Sequence, residues 1–183
     1  MPLLTKLRAI MATFVLTGSL GLSAAQAADG GLNDFQPCPD SLAVEGGEEP
    51  AHKWDLTLSP YTYHWHYSPN HHPVKLGAMD RHLSGGRFCG MALFTNSFGQ
   101  GSAYVYVGQR WDNLFGNPKL FTKVSGGLLY GYRNEYKNKI PFNNYGIAPA
   151  VIPSLGYAFT PTDSAQIFVL GTAGVLFAYG HSF

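Results

Sequence analysis

Beyond its first two dozen residues the sequence has no apolar run approaching the roughly 20 residues of a membrane-spanning helix, so no later stretch is long enough to cross a bilayer as a helix. Charge is scarce as well. Charged side chains make up 13% of the chain and nearly cancel, leaving +1, which removes the basic footprint of a nucleic-acid binder. Cysteine is limited to Cys38 and Cys89. In an exported chain a Cys38–Cys89 bridge would tie the N-terminal segment to the body of the protein; the alternative is that Cys89 is a small buried hydrophobe. A mean hydropathy near zero suits a soluble protein and a membrane protein equally. What is plentiful is aromatic, with 11 tyrosines and 12 phenylalanines. At the end of the chain Val175, Phe177, Tyr179, His181 and Phe183 share one two-residue register, the pattern of a transmembrane β-strand, which needs only about 9–11 residues per crossing.

The chain divides into three parts. Lys6 and Arg8, the apolar stretch Ala9 to Leu22, and Ala25-Gln26-Ala27 read as a secretory leader over residues 1–27. Residues 28–53, rich in Gly, Pro and acids without helical periodicity, read as an irregular periplasmic arm. From Trp54 onward, segments at 54–66, 73–83, 86–97, 102–112, 119–133, 145–158, 164–171 and 173–183 are predicted strands separated by Pro, Gly, Asn or Ser. Bacterial single-chain barrels have even strand numbers, so the last stretch is divided at Gly171-Thr172 to give eight. The fold class predicted is an all-β, eight-stranded antiparallel outer-membrane barrel over 54–183.

Alternation assigns the faces. In the fifth segment Leu120, Thr122, Val124, Gly126, Leu128, Tyr130 and Tyr132 face lipid, while Lys123, Ser125, Gly127 and Arg133 face inward. In the fourth, Ala103, Val105, Val107 and Trp111 face out, leaving Ser102, Tyr104, Tyr106, Gly108 and Arg110 inside. The third is apolar on both faces, so the lumen is greasy enough for a hydrocarbon chain or for simple packing. In the first, Pro60 predicts a bulge that slips the register, turning Tyr61, Tyr63 and Trp65 outward and Thr62, His64 and His66 inward. The ends of the first and third strands lie at one rim, which brings His64 to Asn96 and Ser97. With His64 as general base, Ser97 positioning the reacting oxygen and the Asn96 amide stabilising a developing oxyanion, the three suffice to activate an acyl transfer; interfacial polar residues would look the same. The histidines at 64, 66, 71, 72 and 82 lack acidic or thiolate partners at ligand spacing, so no metal is expected.

These residues resemble the outer-membrane lipid A palmitoyltransferases, the PagP family, over most of 54–183. Asp55-Leu56, Pro60 and Tyr63-His64 are similar to the family's first strand, whose catalytic histidine falls on His64. The family's Asp-Ser pair falls on Asn96-Ser97, with amide in place of carboxylate. Its depth-setting glycine falls on Gly108, and its proline-rich sixth strand on Ala148 to Pro153. The resemblance implies transfer of a palmitoyl chain from a phospholipid donor to lipid A, without a cofactor, by a monomer in the bacterial outer membrane. The family's N-terminal amphipathic helix has no counterpart in 28–53, and the pocket strands differ. Pro60, Pro149 and Pro153 remove ladder hydrogen bonds, so the wall could part there and admit lipid sideways; bulges or strand starts are the plainer account. Two rival readings stand beside this one. His66-Tyr67-Ser68 is similar to the His-x-Ser of lipid A deacylases, although Pro69 comes next where that family has Asn. A non-enzymatic barrel or solute channel is the other, against which stands the narrow interior of eight strands.

Overall fold

The computed structural model describes residues 35–183, so the leader and the first residues of the arm lie outside it. Eight strands form one closed antiparallel barrel in sequence order. They are β1 (Trp54–His64), β2 (Leu76–His82), β3 (Arg87–Thr95), β4 (Gly101–Trp111), β5 (Leu120–Tyr130), β6 (Ile147–Ala158), β7 (Asp163–Val169) and β8 (Gly174–Ser182). β1 closes on β8, with a register shift between Leu58 and Tyr61 where Pro60 cannot donate to the ladder. Ser59 compensates locally: its hydroxyl donates to the Phe177 carbonyl at 2.6 Å.

Side chains follow the pleat. Leu58, Met79, Leu93, Val105, Leu128 and Val151 are large, apolar and exposed on the outside, an arrangement stable only against hydrocarbon. Aromatic residues edge this belt at both rims, Tyr61, Tyr63, Trp65 and Tyr130 at one, Trp111, Tyr157, Tyr179 and Phe183 at the other. The fold is therefore that of a transmembrane barrel. Inside, Phe88, Ala92, Tyr104, Tyr106 and Leu129 form one buried cluster and Val74, Leu176 and Ala178 a second.

The strands end earlier than the sequence pattern suggests, and three side-chain placements change as a result. β5 stops at Tyr130 because Gly131 takes φ 140°. Tyr132 then turns inward against the Phe88 cluster instead of facing lipid, and Arg133 turns out to lie over the Tyr130 ring at 5.4 Å. β1 stops at His64, leaving His66 exposed in the following loop rather than in the lumen.

The arm holds to the outer wall at the rim carrying the C-terminus. Cys38 and Cys89 are disulfide-bonded. Met91 and Leu93, in step with Cys89 on β3, are exposed while Phe88 is buried inside, so the bridge sits on the outer surface. Phe35 stacks on Trp54 with ring centres 6.1 Å apart, and the Arg81 guanidinium lies 5.3 Å from the Trp54 centroid.

Candidate functional site

At the opposite rim, His64 Nε2 and Ser97 Oγ lie 2.6 Å apart. Two neighbouring pieces of chain place them. His64 is the last residue of β1, paired with Gly174 of β8; a Cβ at Gly174 would meet the Tyr63 carbonyl oxygen at 2.0 Å, so only glycine lets the two strands approach this closely. Ser97 sits in the five-residue turn between β3 and β4, closed by the Asn96 N–H donating to the Gln100 carbonyl at 2.9 Å. Asn96 is 1% exposed. Its Oδ1 accepts the N–H groups of Phe98 and Gln100, both at 3.0 Å, while its amide donates to the Gly131 carbonyl at 3.3 Å. The Asn96 side chain is thus consumed in building the turn and is turned to the backbone, not to an oxyanion. That replaces the oxyanion role expected from sequence.

The second imidazole at the mouth is His71, not His66. Its ring centre lies 4.2 Å from that of His64, and the β1–β2 loop that carries it is fastened by the His72 N–H donating to the Ser97 carbonyl at 2.8 Å. His71 meets Phe98 edge-on at 5.7 Å, and Phe98 stacks on Tyr136 at 4.2 Å. Val74, Tyr132 and Ile140 pack down over the interior just below; burial pushes the Tyr132 phenol up to about 12, so it stays protonated at neutral pH. His66 and Ser68 do not form a pair. With the strand ended at His64 their two-residue spacing no longer puts them on one face, and Ser68 Oγ instead accepts the Asn70 N–H at 3.3 Å in a local turn.

Below the mouth lies a narrow cavity of about 60 Å³, walled by Leu76, Ala92, Tyr104, Ile152, Phe168 and Leu176 among others. Its far end is closed by Phe88, Tyr106, Asp80 and Lys123. Gly108 faces inward as its alternation requires, but Phe88 covers it: a Cβ at Gly108 would stand 2.3 Å from Phe88 Cζ. The end wall expected at Gly108 is therefore the Phe88 ring resting on Gly108.

Beneath that ring is an ionic cluster. Lys123, 3% exposed, donates to Asp55 at 2.9 Å and Asp80 at 3.0 Å. His82 Nε2 lies 2.8 Å from Asp55, Tyr106 donates to Asp80 at 2.5 Å and Ser182 to Asp55 at 2.5 Å. Ligand atoms of Asp55, Asp80 and His82 lie within 4.8 Å of one another, but the Lys123 ammonium already occupies the cation position between the carboxylates. An inward lysine in a greasy barrel demands a buried counter-charge; Asp55 and Asp80 could have been found by that reasoning. His82 also parts company with the other histidines, since it belongs to this end of the barrel.

The wall opens beside the cavity at two places. The β1–β2 ladder ends at Ser59↔Leu76, so the last residues of β1, from Pro60, have no partner on β2. The β6–β7 ladder ends at Ser154↔Phe168, leaving Ile147 to Pro153 unpaired along that edge. Backbone directions in this stretch are set by its ends. Ala158 donates to Lys119 on the β5 side and Phe159 to Asp163 on the β7 side, so by alternation Ile147, Pro149, Val151 and Pro153 point into the gap. Ile147 bonds to Asn144 and two of the others are prolines, which have no N–H. By this alternation the Val151 N–H is the one donor of the β6 edge between Ile147 and Pro153 left pointing into the gap.

Neither protein-family models nor curated proteins gave a match to this sequence. A solved de novo designed transmembrane β-barrel is similar in structure, with a TM-score of 0.56 and 14% identity over 75% of this chain and 99% of the design. Exposed apolar belt, closed strand order and this likeness agree: the chain is a closed eight-stranded transmembrane β-barrel.

Proposed function

We propose that this barrel is an acyltransferase of the bacterial outer membrane, moving a palmitoyl chain from a phospholipid to lipid A. The observation that carries the reading is the 2.6 Å contact of His64 Nε2 with Ser97 Oγ above an apolar cavity in a wall gapped on both sides. Its apolar lining suits a hydrocarbon chain, and gaps edged by prolines suit sideways entry from a leaflet. With the arm and the end of β8 on the periplasmic side, the site rim lies at the outer leaflet. His64 acts as general base, removing the proton from the acceptor hydroxyl that Ser97 positions. That oxygen forms the new bond to the donor ester carbonyl carbon, the bond to the glycerol oxygen breaks, and the proton returns to this leaving oxygen. The acyl chain is held below in the cavity throughout.

The test is mass spectrometry of lipid A from cells producing the wild type, His64→Ala and Ser97→Ala. A palmitoyl gain with wild type that disappears with His64→Ala and falls strongly with Ser97→Ala is expected, with all three proteins folded in the outer membrane. Loss of an acyl chain would instead mark a deacylase, and unchanged lipid A a barrel without this chemistry.

A further inference from the structure

Charge is distributed unevenly between the two rims. Among the described residues the site rim carries Lys75, Arg133, Lys137 and Lys139, all exposed, against one acid, Glu135. The opposite rim and arm hold the acids Asp40, Glu45, Glu48, Glu49, Asp112 and Asp163 against the cations Lys53, Arg81, Arg87, Arg110 and Lys119, so the site rim is net positive and the opposite one is not. Solubility does not require such a separation, and a mouth of net positive charge is a feature that selects what approaches it.

The β5–β6 loop that bears three of these cations is fixed against the His64–Ser97 pair. Gln100, from the turn that presents Ser97, accepts the Arg133 N–H at 3.0 Å and donates to the Arg133 carbonyl at 3.3 Å. Asn143 ties the loop to itself through the carbonyls of Tyr132 at 2.7 Å and Lys137 at 2.9 Å. Lys139 Nζ lies 5.7 Å over the ring of Phe98, the residue next to Ser97. The cations are therefore held beside the reacting groups by a braced loop.

We infer that Lys137 and Lys139, backed by Arg133 and Lys75, bind a lipid-borne phosphate and so hold the polar head of a substrate over His64 and Ser97. Phosphate chemistry fits because ammonium groups serve it as point charges without demanding one geometry, and because a lipid head at the bilayer surface presents phosphate at this height. Which substrate brings the phosphate, acceptor or donor, rests on the acyltransferase reading; the binding itself does not.

The experiment uses the full barrel in non-ionic detergent micelles. Binding of bisphosphorylated lipid A and of its dephosphorylated form is measured for the wild type, for Lys137→Gln/Lys139→Gln, and for Lys119→Gln at the other rim. The double variant should bind phosphorylated lipid A about tenfold or more weakly and the dephosphorylated form as the wild type does, with Lys119→Gln unaffected. Steady-state transfer then assigns the phosphate: a raised KM for lipid A with little change in kcat places it on the acceptor, a raised KM for the phospholipid on the donor. Phosphate-dependent binding without transfer by the wild type would leave the site standing and remove the acyltransferase reading. Equal binding of both lipid forms, or equal loss in Lys119→Gln, overturns the inference.

Discussion

The end wall of the cavity yields the sharpest prediction. A Cβ at Gly108 would stand 2.3 Å from Phe88 Cζ and 2.6 Å from the Val124 carbonyl oxygen, whereas ordinary contact begins at 3.4 Å. The carbonyl belongs to the β4–β5 ladder, so the ring is the part that gives way, by roughly 1 Å for alanine and further for methionine. The direction open to it is the cavity whose end it already forms. Overpacking of this kind costs about 1–3 kcal/mol, tolerable in a closed barrel. The available depth shrinks instead. Each methylene kept from burial forgoes about 0.8 kcal/mol, close to fourfold in preference per carbon. Gly108→Ala should therefore transfer a shorter chain than the wild type, Gly108→Met one shorter still, and Phe88→Leu a longer one. The assay is the mass added to lipid A when donors of graded chain length compete. An unaltered increment in folded Gly108→Ala and Phe88→Leu proteins refutes the assignment of Phe88 as the end wall.

Three further outcomes rest on the same structure. Lys123→Met strips two buried carboxylates of their shared ammonium and should lower stability by about 3–5 kcal/mol, much of it regained when Asp55→Asn and Asp80→Asn are added; denaturant unfolding in detergent measures both. Asn96→Ala removes the acceptor of two backbone N–H groups and should cost about 1–3 kcal/mol along with most transfer, while Asn96→Asp keeps those acceptors and retains more activity; equal activity in the two would show that the turn does not depend on this side chain. Val151→Pro deletes an N–H that points into the gap and should change stability by less than about 1 kcal/mol, whereas Leu128→Pro, in fully paired β5, should prevent folding, since a lost ladder bond in hydrocarbon costs several kcal/mol. Comparable damage from both prolines would mean that the edge of β6 is paired after all.

The strands were legible because the lipid face enforces a strict two-residue period, and Val105, Leu128 and Phe177 carry it without interruption. The bulge at Pro60 was legible for a related reason, that proline has no ladder donor. Strand ends were less so: Gly131 stops β5 through a backbone angle that composition does not reveal, and Tyr132 reversed its face as a result. At the site, topology alone brought His64 to Ser97, because both end at one rim. The part played by Asn96 was hidden, since an amide that caps a turn and an amide that faces a reacting atom look alike in sequence. His71 was hidden too, because its approach to His64 depends on how the β1–β2 loop folds back.

An open stretch of β6 within a closed barrel is still a sheet edge, and sheet edges recruit other strands. Ile147 to Pro153 face the gap with a row of positions where a second copy of the chain could in principle add its own strand and zip two barrels together. Proline at 149 and 153 denies such a strand the donors it would need at every other contact, leaving Val151 alone to offer one. The prolines that leave this edge unpaired therefore also keep neighbouring barrels from joining along it, and a variant that restored N–H groups at both positions is expected to gain dimers in the membrane as the gap closes.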